Sequence, residues 1–277
     1  MTQELLFTKE EWDTAMPVVV EAMTKHLKAY RAPIFEDFGD HCDGWGSGSY
    51  LQVAERVFIL TNEHVARARR EGRKLIHQFA GQEDFRPIVG DHVAKDFPFD
   101  LALLPIDAAA WRDASNQSRA ISIDQISWAH QPVAGEIFSF TGFSGQEAKF
   151  YFNTMLYTGT CYTAREVELP EDQRFAGRFH LGLDYRPDLA KTVIGDKGLP
   201  LPPGLSGSTL WNTRFVEAKM AKTPWTPELA MVTGVIWGWP SALACLVATR
   251  AEYLRFFLLG ALDFAKGHGL RTRKSAP

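Results

Sequence analysis

A serine, a histidine and an aspartate stand at the ends of apolar runs that are far apart in the sequence. Ser206 lies in "PPGLSGSTLW", His64 in "RVFILTNEHVA" and Asp100 in "FPFDLALLPI". Each residue taken alone is typical of an ordinary turn. Together they supply a hydroxyl, an imidazole that can take its proton and a carboxylate that can fix the imidazole tautomer. The set therefore predicts nucleophilic catalysis, with Ser206 as nucleophile, His64 as general base and Asp100 as the partner of the imidazole.

The glycines around Ser206 indicate how a negative oxygen could be stabilised. Gly204 precedes the serine by two positions, where a residue without a Cβ lets the backbone take a conformation that other residues avoid. A tetrahedral intermediate needs backbone N–H groups that point at its oxyanion. We expect the N–H groups of Gly204 and Ser206 to form this oxyanion hole.

A second Gly-x-Ser-Gly segment, at residues 142–145, makes Ser144 an alternative nucleophile. With His268 it would give the residue order of an α/β-hydrolase. The sharp turn of that fold needs a glycine two positions after the serine, and Ser144 has none. The parallel strand-helix-strand rhythm of that fold is also missing from the sequence. Ser206 is therefore the favoured nucleophile.

The apolar pattern places these residues on a mainly β scaffold. Through the middle of the chain, short apolar or alternating runs such as "LIHQFA", "EIFSFTGF" and "MVTGVIWGW" are separated by Gly, Pro, Asn and Asp. Strands at such short intervals, with no helices between them, favour an antiparallel sandwich or barrel. The three candidate residues then lie at strand ends, where side chains are free for chemistry.

Helices are predicted at the two ends of the chain. Thr8 and Glu11 have the spacing of a capping box, and apolar residues recur every three or four positions over about 9–30. Thr249 and Glu252 repeat the cap spacing before a second apolar face. We expect the first helix either to brace the β structure or to hold a regulatory protein partner.

Composition and charge exclude several kinds of partner. The 277-residue chain has a net charge of −3, and its basic residues form no stripe apart from the short tail "RTRK", so nucleic acid is not an expected partner. No apolar stretch approaches the ~20 residues that cross a bilayer, so no membrane contact is expected. The start of the chain lacks the basic and apolar segments of an export signal, which predicts a cytoplasmic protein.

Nothing in the sequence indicates a cofactor or a metal ion. Cys42, Cys161 and Cys245 are widely spaced, which favours reduced thiols over a disulfide framework or a CxxC metal site. There is no HExxH motif, no cluster of Cys and His and no phosphate-binding glycine loop. The other histidines are scattered and are expected to be structural: His26, His41, His77, His92, His130, His180 and His268.

The three catalytic segments resemble those of a known family. "TNEHV", "DLALL" and "GLSGS", in that order, are similar to the motif blocks of the chymotrypsin-fold (trypsin-like) serine peptidases. "GWGSGSYL", "FSFTGFSGQ" and "VTGVIWGW" resemble further strands of that family, so the likeness extends over about residues 44–265. It implies a serine endopeptidase that hydrolyses polypeptides through the triad of His64, Asp100 and Ser206, without a cofactor.

The resemblance also implies an architecture of two antiparallel six-stranded β-barrels with an extra N-terminal helix and a C-terminal helix. The expected boundaries are a helical extension at 1–32, a peptidase unit at 33–266 and a disordered basic tail at 267–277. Within the peptidase unit, the N-terminal barrel is expected at about 33–125, the C-terminal barrel at about 130–248 and the closing helix at about 249–266.

By the layout of that family, the substrate pocket should lie beside Ser206. The residues expected in its wall are Pro200, Ile236, Trp237, Gly238 and Trp239. Pro200 stands where trypsin-type members have Asp, so a preference for Arg or Lys is not expected. Leu205 replaces the Asp that pairs with a newly freed N-terminus in digestive members, so activation by clipping of a zymogen is not expected either.

Two functions remain open at this point. A peptidase that cut freely in the cytoplasm would be hazardous, so we expect restricted specificity or activity gated by a partner. The alternative is a catalytically silent, peptidase-like module for binding or scaffolding. The complete triad favours the enzyme, because an idle site has no chemical reason to keep all three groups.

Overall fold

The computed structural model describes residues 6–145, 149–151, 154–156, 159–169, 175, 177–195 and 198–263. The fold is mainly β, with a helix before and a helix after the strands, as the sequence predicts. The helices are α1 (Lys9–Leu27), α2 (Glu63–Arg67), α3 (Ala108–Trp111), α4 (Phe215–Met220) and α5 (Ala251–Asp263). The strands are β1 (Arg31–Asp37), β2 (Cys42–Val53), β3 (Arg56–Thr61), β4 (Leu75–Gln78), β5 (Phe85–Pro87), β6 (Val93–Lys95), β7 (Leu101–Pro105), β8 (Ile137–Gly142), β9 (Lys149–Tyr151), β10 (Thr154–Leu156), β11 (Thr160–Val167), β12 (His180–Asp184), β13 (Thr209–Asn212), β14 (Met231–Gly238) and β15 (Cys245–Arg250).

Helix α1 begins at the predicted cap. Thr8 Oγ1 accepts a hydrogen bond from the backbone N–H of Glu11 at 3.1 Å, and the N–H of Thr8 donates to Glu11 Oε2 at 2.8 Å. The reciprocal pair completes a capping box. Val19, Met23 and Leu27 follow on one face of the helix and are buried. The helix therefore braces the β structure with the apolar stripe that the sequence indicates.

The N-terminal half is one antiparallel sheet of seven strands, in the order β5-β4-β1-β2-β3-β7-β6. The prediction of a six-stranded N-terminal barrel is therefore wrong. Within the described residues, β5 and β6 form the two edges of the sheet and do not pair with each other. Both strands have three residues, and β5 ends at Pro87, which has no N–H to donate across a closing seam.

The C-terminal half contains a closed barrel of six strands, in the order β11-β12-β15-β14-β13-β8. This confirms the prediction of a six-stranded antiparallel barrel for that half. Alternate residues of β8 and β12 point into it, because successive side chains of a strand face opposite sides. The barrel interior holds a buried apolar cluster that includes Phe138, Phe140, Leu181 and Leu183. Leu205, which directly precedes the candidate nucleophile, belongs to the same cluster.

A second buried cluster joins the two halves. It contains residues of α1, of the N-terminal sheet, of the barrel and of α5: Val19, Met23, Leu51, Phe58, Leu101, Ile137, Trp211, Val235, Leu254 and Phe257. Burial of apolar area at roughly 25 cal/mol per Å² is the main force that holds such layers together. Both terminal helices are therefore part of the common core, and the sheet and barrel pack against each other through it.

The closing helix starts later than the sequence predicts. Thr249 is still in β15, where its hydroxyl donates to Phe99 O at 2.7 Å, so it does not cap the helix. Glu252 instead accepts from the backbone N–H of His130 at 3.0 Å. The helix runs over Ala251–Asp263, and the rest of the predicted helix and the predicted tail at 267–277 lie outside the described residues.

Cys42, Cys161 and Cys245 form no disulfide with one another, as the sequence predicts. Burial raises the pKa of the Cys42 thiol to about 11, which keeps it protonated and unreactive at neutral pH. Among the described helices, none combines the length and the apolar character that crossing a membrane requires.

Candidate active site

The strand pairing brings His64 and Asp100 together. His64 lies on α2, which follows β3, and Asp100 directly precedes β7. β3 and β7 are antiparallel neighbours, with Thr61 opposite Ala102. The end of one strand therefore lies beside the start of the other. The two residues, which the sequence places on separate turns, become neighbours for this reason.

His64 and Asp100 are joined by two hydrogen bonds. Asp100 Oδ2 lies 2.6 Å from His64 Nδ1, and Asp100 Oδ1 accepts from the backbone N–H of His64 at 3.0 Å. A carboxylate can only accept, so Nδ1 donates the proton and the imidazole is held as the tautomer whose Nε2 is an acceptor. The His64 side chain is 40% exposed, whereas that of Asp100 is 11% exposed. The imidazole is thus more open to solvent than the carboxylate that holds it.

Asp100 sits on a strained turn that the surrounding residues hold in place. Its φ is +48°, a left-handed conformation that costs a residue with a side chain about 1–2 kcal/mol. The Asn62 side-chain amide donates to Asp100 O at 2.8 Å, and both residues are buried. Backbone strain of this kind persists only where the structure around it fixes the conformation. Asn62 therefore positions the carboxylate from the same turn that carries His64.

The barrel also holds the segment that leads to Asp100. His180 Nε2 donates to Pro98 O at 2.7 Å, and Thr249 Oγ1 donates to Phe99 O at 2.7 Å. Burial lowers the pKa of His180, which favours the neutral imidazole with its proton on Nε2. The His180 ring also packs against the Trp237 ring, with centroids 5.1 Å apart. The aspartate loop of the sheet is in this way fixed by two strands of the barrel.

Two consecutive turns hold Ser206. In the first, Leu205 N donates to Pro202 O at 2.9 Å, and in the second, Ser208 N donates to Leu205 O at 3.1 Å. Gly204 and Gly207 occupy the third position of the two turns, with φ of +97° and +93°. A positive φ at that position is typical of a type II turn and favours glycine. The turn hydrogen bonds therefore fix the backbone of Ser206 in a conformation that the two glycines permit.

The N–H groups of Gly204 and Ser206 are the two that the turns leave unused. Leu205 N and Ser208 N bond within the turns, and Gly207 N donates to Ile236 O at 2.8 Å. In the described part of the chain, the backbone nitrogens of Gly204 and Ser206 have no acceptor. Two such N–H groups, one on the serine itself and one two residues before it, are the donors that an oxyanion hole needs.

The Ser206 loop packs against β2 and against the end of β3, the strand that leads to His64. Ser206 O accepts from the backbone N–H of Ser47 at 2.8 Å, and a Cβ added to Gly207 would lie 2.3 Å from Thr61 Oγ1. The Ser206 hydroxyl itself donates to Trp237 O at 3.4 Å, a long hydrogen bond. Among the described residues, no hydrogen bond joins Ser206 to His64. The structure therefore joins His64 and Asp100 by hydrogen bonds, whereas the hydroxyl of Ser206 bonds to Trp237 O.

A cavity of about 230 Å³ opens beside Ser206. Four predicted pocket residues line it, namely Ile236, Trp237, Gly238 and Trp239, together with Pro202, Pro203, Leu205, Ser206 and Leu246. None of these side chains carries a charge. Pro200 is not among the lining residues, and its carbonyl accepts from the Tyr185 hydroxyl at 2.7 Å. Its place in the wall is taken by the two prolines that follow it.

The alternative nucleophile has a different environment. Ser144 is 1% exposed, and its hydroxyl donates to Leu201 O at 3.0 Å. Its proposed partner, His268, lies outside the described residues. A serine this buried cannot reach a polypeptide substrate, so the geometry favours Ser206.

The remaining described histidines fit structural roles better than a metal site. His130 shows this clearly, because its Nδ1 lies 2.6 Å from Thr233 Oγ1 and its Nε2 lies 3.1 Å from Glu166 Oε2, with the residue 3% exposed. Within the described ranges, no group of three or more His, Cys, Asp or Glu side chains is arranged to hold a metal ion.

Sequence reasoning missed two polar residues of the site. Asn62 supports the backbone of Asp100, and Ser47 contacts the Ser206 loop through its backbone and its hydroxyl. Both stand in segments that the sequence already singles out, Asn62 in "TNEHV" and Ser47 in "GWGSGSYL". A polar residue immediately before the catalytic turn, or between two glycines of a buried strand, is the signal that could have found them.

Comparison with known proteins identifies the fold. No protein-family model and no curated protein matches the chain. Among solved structures, the chain is similar to the serine endoprotease from Yersinia pestis, with 15% sequence identity and a TM-score of 0.52, over 88% of this chain and 66% of that one. A structure from work on the coupled folding and binding of the Sesbania mosaic virus VPg protein is also 15% identical, over 82% of this chain and 90% of its own, with a TM-score of 0.45. The likeness to the Yersinia protein shows that this chain has a protease-like fold with one closed barrel.

Proposed function

We propose that the protein is a serine endopeptidase whose nucleophile is Ser206. The observation that carries the proposal is the pair of His64 and Asp100, joined at 2.6 Å with His64 Nε2 left as an acceptor. The unused N–H groups of Gly204 and Ser206 and the apolar cavity beside the serine support it. These groups together supply a base, a nucleophile, an oxyanion site and a place for a substrate side chain.

The proposed mechanism starts with rotation of the Ser206 hydroxyl from Trp237 O toward His64 Nε2. Serine oxygen bonds to the substrate carbonyl carbon while its proton passes to His64, and Asp100 stabilises the imidazolium that results. The carbonyl oxygen becomes negative and accepts from the N–H groups of Gly204 and Ser206. His64 then gives the proton to the leaving amine as the C–N bond breaks. Water, deprotonated by His64, releases the acyl group and restores the serine.

We propose that the residue before the cleaved bond is uncharged and apolar. All residues that line the cavity are uncharged, and most are apolar. A charged side chain placed there would lose its hydration without gaining a partner of opposite charge, which is strongly unfavourable. Restricted specificity, as opposed to cleavage after Arg or Lys, follows from this lining.

A second candidate function is a module that binds without catalysis, or one that a partner switches on. One observation favours it, namely that among the described residues the Ser206 hydroxyl is bonded to Trp237 O at 3.4 Å and not to His64. Catalytic hydrogen bonds in a site without substrate are often long or poorly aligned and tighten only with substrate, so this orientation is compatible with both functions.

A regulatory protein partner at the N-terminal helix stays a prediction. The inward face of α1 is already occupied, because Val19, Met23 and Leu27 are buried in the common core. Only the outward face, where Val18 is 64% exposed, is free to bind a second protein.

Labelling with a fluorophosphonate probe tests the nucleophile. We expect the wild type to be labelled, and Ser206→Ala and His64→Ala to be blank. Ser144→Ala is the matched control, because it removes the serine of the other Gly-x-Ser-Gly segment, and it should label like the wild type. Absence of label on the wild type, with the folded state verified by circular dichroism, would favour the silent module instead.

Cleavage of a peptide library by the unlabelled wild-type protein then tests the pocket. We expect cuts after Leu, Met or Phe, and at least about 100-fold slower cleavage after Lys or Glu, because a difference of about 3 kcal/mol in transition-state binding is worth that factor. Efficient cleavage after a charged residue would contradict the uncharged pocket.

A further inference from the structure

The hydroxyl of Ser47 joins three segments at the oxyanion site. Ser47 lies in β2 and is completely buried. Its Oγ donates to Gly204 O at 2.7 Å and accepts from the backbone N–H of Phe143 at 2.8 Å. The same residue donates its own N–H to Ser206 O at 2.8 Å. One side chain of the N-terminal sheet thus holds the loop of the nucleophile and the end of β8 together.

The peptide before Gly204 is held from the same side. Pro203 O accepts from the backbone N–H of Gly145 at 3.1 Å, two residues after Phe143. In a planar trans peptide the carbonyl and the following N–H point in opposite directions. A Pro203 carbonyl fixed toward Gly145 therefore aims the N–H of Gly204 the other way. The Ser47 hydroxyl accepts from the N–H of Phe143, two residues before Gly145, and donates to the carbonyl of Gly204. It therefore holds the segment that bonds to Pro203 O and also the carbonyl that follows the N–H of Gly204.

We propose that Ser47 is a positioning residue that keeps the N–H of Gly204 directed at the oxyanion. This inference rests on the proposed peptidase function. Gly204 has no side chain and can adopt positive and negative φ, so its own conformational preference does not keep its φ at +97°. The hydrogen bond from Ser47, together with the turn hydrogen bond from Leu205 N to Pro202 O, selects one of these conformations.

Ser47→Ala tests this directly. The variant leaves Gly204 O and the N–H of Phe143 without their partner at a buried position, and the Gly204 peptide turns to satisfy its carbonyl elsewhere. Loss of one oxyanion-hole donor lowers an enzymatic rate by about 100- to 1,000-fold. We expect the rate of fluorophosphonate labelling to fall by at least about 100-fold.

Ser49→Ala is the matched control. Ser49 lies two residues further along β2, is 3% exposed, and its hydroxyl is hydrogen-bonded to Thr209 Oγ1 in the barrel at 2.7 Å. Ser49→Ala removes a buried hydrogen bond between the same two halves. This hydrogen bond does not involve the residues of the Ser206 turns. A purely structural role of Ser47 predicts equal loss of thermal stability and equal labelling rates for the two variants.

The experiment measures labelling rate and melting temperature for both variants and determines the crystal structure of Ser47→Ala. Labelling at least about 100-fold slower for Ser47→Ala than for Ser49→Ala, at similar melting temperature, supports the proposal. Equal labelling rates overturn it. If the wild type does not label, the peptidase function fails and the crystal structure still decides: a rotated Gly204 carbonyl supports the positioning role, and an unchanged one refutes it.

Discussion

Gly207 should be the least replaceable residue of the nucleophile loop. Its φ is +93°, and an added Cβ would lie 1.9 Å from Ser47 O, where real contacts are at least 3.0 Å. A left-handed conformation costs a residue with a Cβ about 1–2 kcal/mol. The loop or β2 would also have to move by roughly 1 Å, and overpacking of this kind costs about 1–3 kcal/mol. We therefore expect Gly207→Ala to lower the free energy of unfolding by about 2–5 kcal/mol.

Two other glycines separate these contributions. Gly72 has φ of +86° and no heavy atom within 4 Å of an added Cβ, so Gly72→Ala carries the backbone cost alone, about 1–2 kcal/mol. Gly238 has no positive φ, and the nearest atom, Val247 Cβ, is 4.0 Å away. Gly238→Ala should therefore stay within about 0.5 kcal/mol of the wild type.

Urea unfolding followed by tryptophan fluorescence measures all three free energies, since the midpoint and slope of the transition give the stability. The chain has 8 tryptophans to report unfolding. The expected order of stability is Gly238→Ala, then Gly72→Ala, then Gly207→Ala. A midpoint for Gly207→Ala equal to that of Gly238→Ala would refute the close approach between the nucleophile loop and β2.

Three further predictions concern other parts of the fold. Thr8→Ala removes the cap of α1 and should cost about 1 kcal/mol in urea unfolding, whereas a change at exposed Thr14 in the same helix should cost almost nothing. Asn62→Ala leaves Asp100 O without a donor, so we expect a loss of about 1–3 kcal/mol in the same assay together with slower fluorophosphonate labelling, and unchanged labelling would contradict the positioning of Asp100 by Asn62. Burial lowers the pKa of His77 from 6.5 to about 3, so the unfolded chain binds the proton first as pH falls, and stability decreases below pH 6.5 by roughly 3 kcal/mol at pH 4. His77→Phe should remove most of that difference between urea unfolding at pH 7.5 and at pH 4, and an unaltered pH dependence would argue against a buried neutral His77.

Local patterns made some features of the fold predictable from the sequence. The capping box of Thr8 and Glu11 involves residues three positions apart, so its spacing can be read directly. The C-terminal barrel follows from alternating apolar residues that face one interior. His64 and Asp100 were predictable as a pair because each stands at the end of an apolar strand, in the order that the resemblance supplies.

The wrong predictions depend on contacts between residues distant in the chain. Thr249 has the spacing of a cap, but its hydroxyl bonds to Phe99 and the strand continues past it. Pro200, which the family layout places in the pocket wall, is not among the residues that line the cavity, and its carbonyl accepts from the Tyr185 hydroxyl. Closure of the N-terminal sheet depends on whether its two edge strands pair, which no local pattern of either strand determines.

The two halves of the site support each other in a crossed arrangement. The Asp100 loop belongs to the sheet, yet the barrel residues His180 and Thr249 hold its two preceding carbonyls. The Ser206 loop belongs to the barrel, yet Ser47 of the sheet holds it from the other side. Because each half carries a loop that the other half fixes, a displacement of one half against the other would move the Asp100 loop and the Ser206 loop together. The packing of the two halves therefore couples the positions of Asp100 and Ser206, although the two residues stand in different halves.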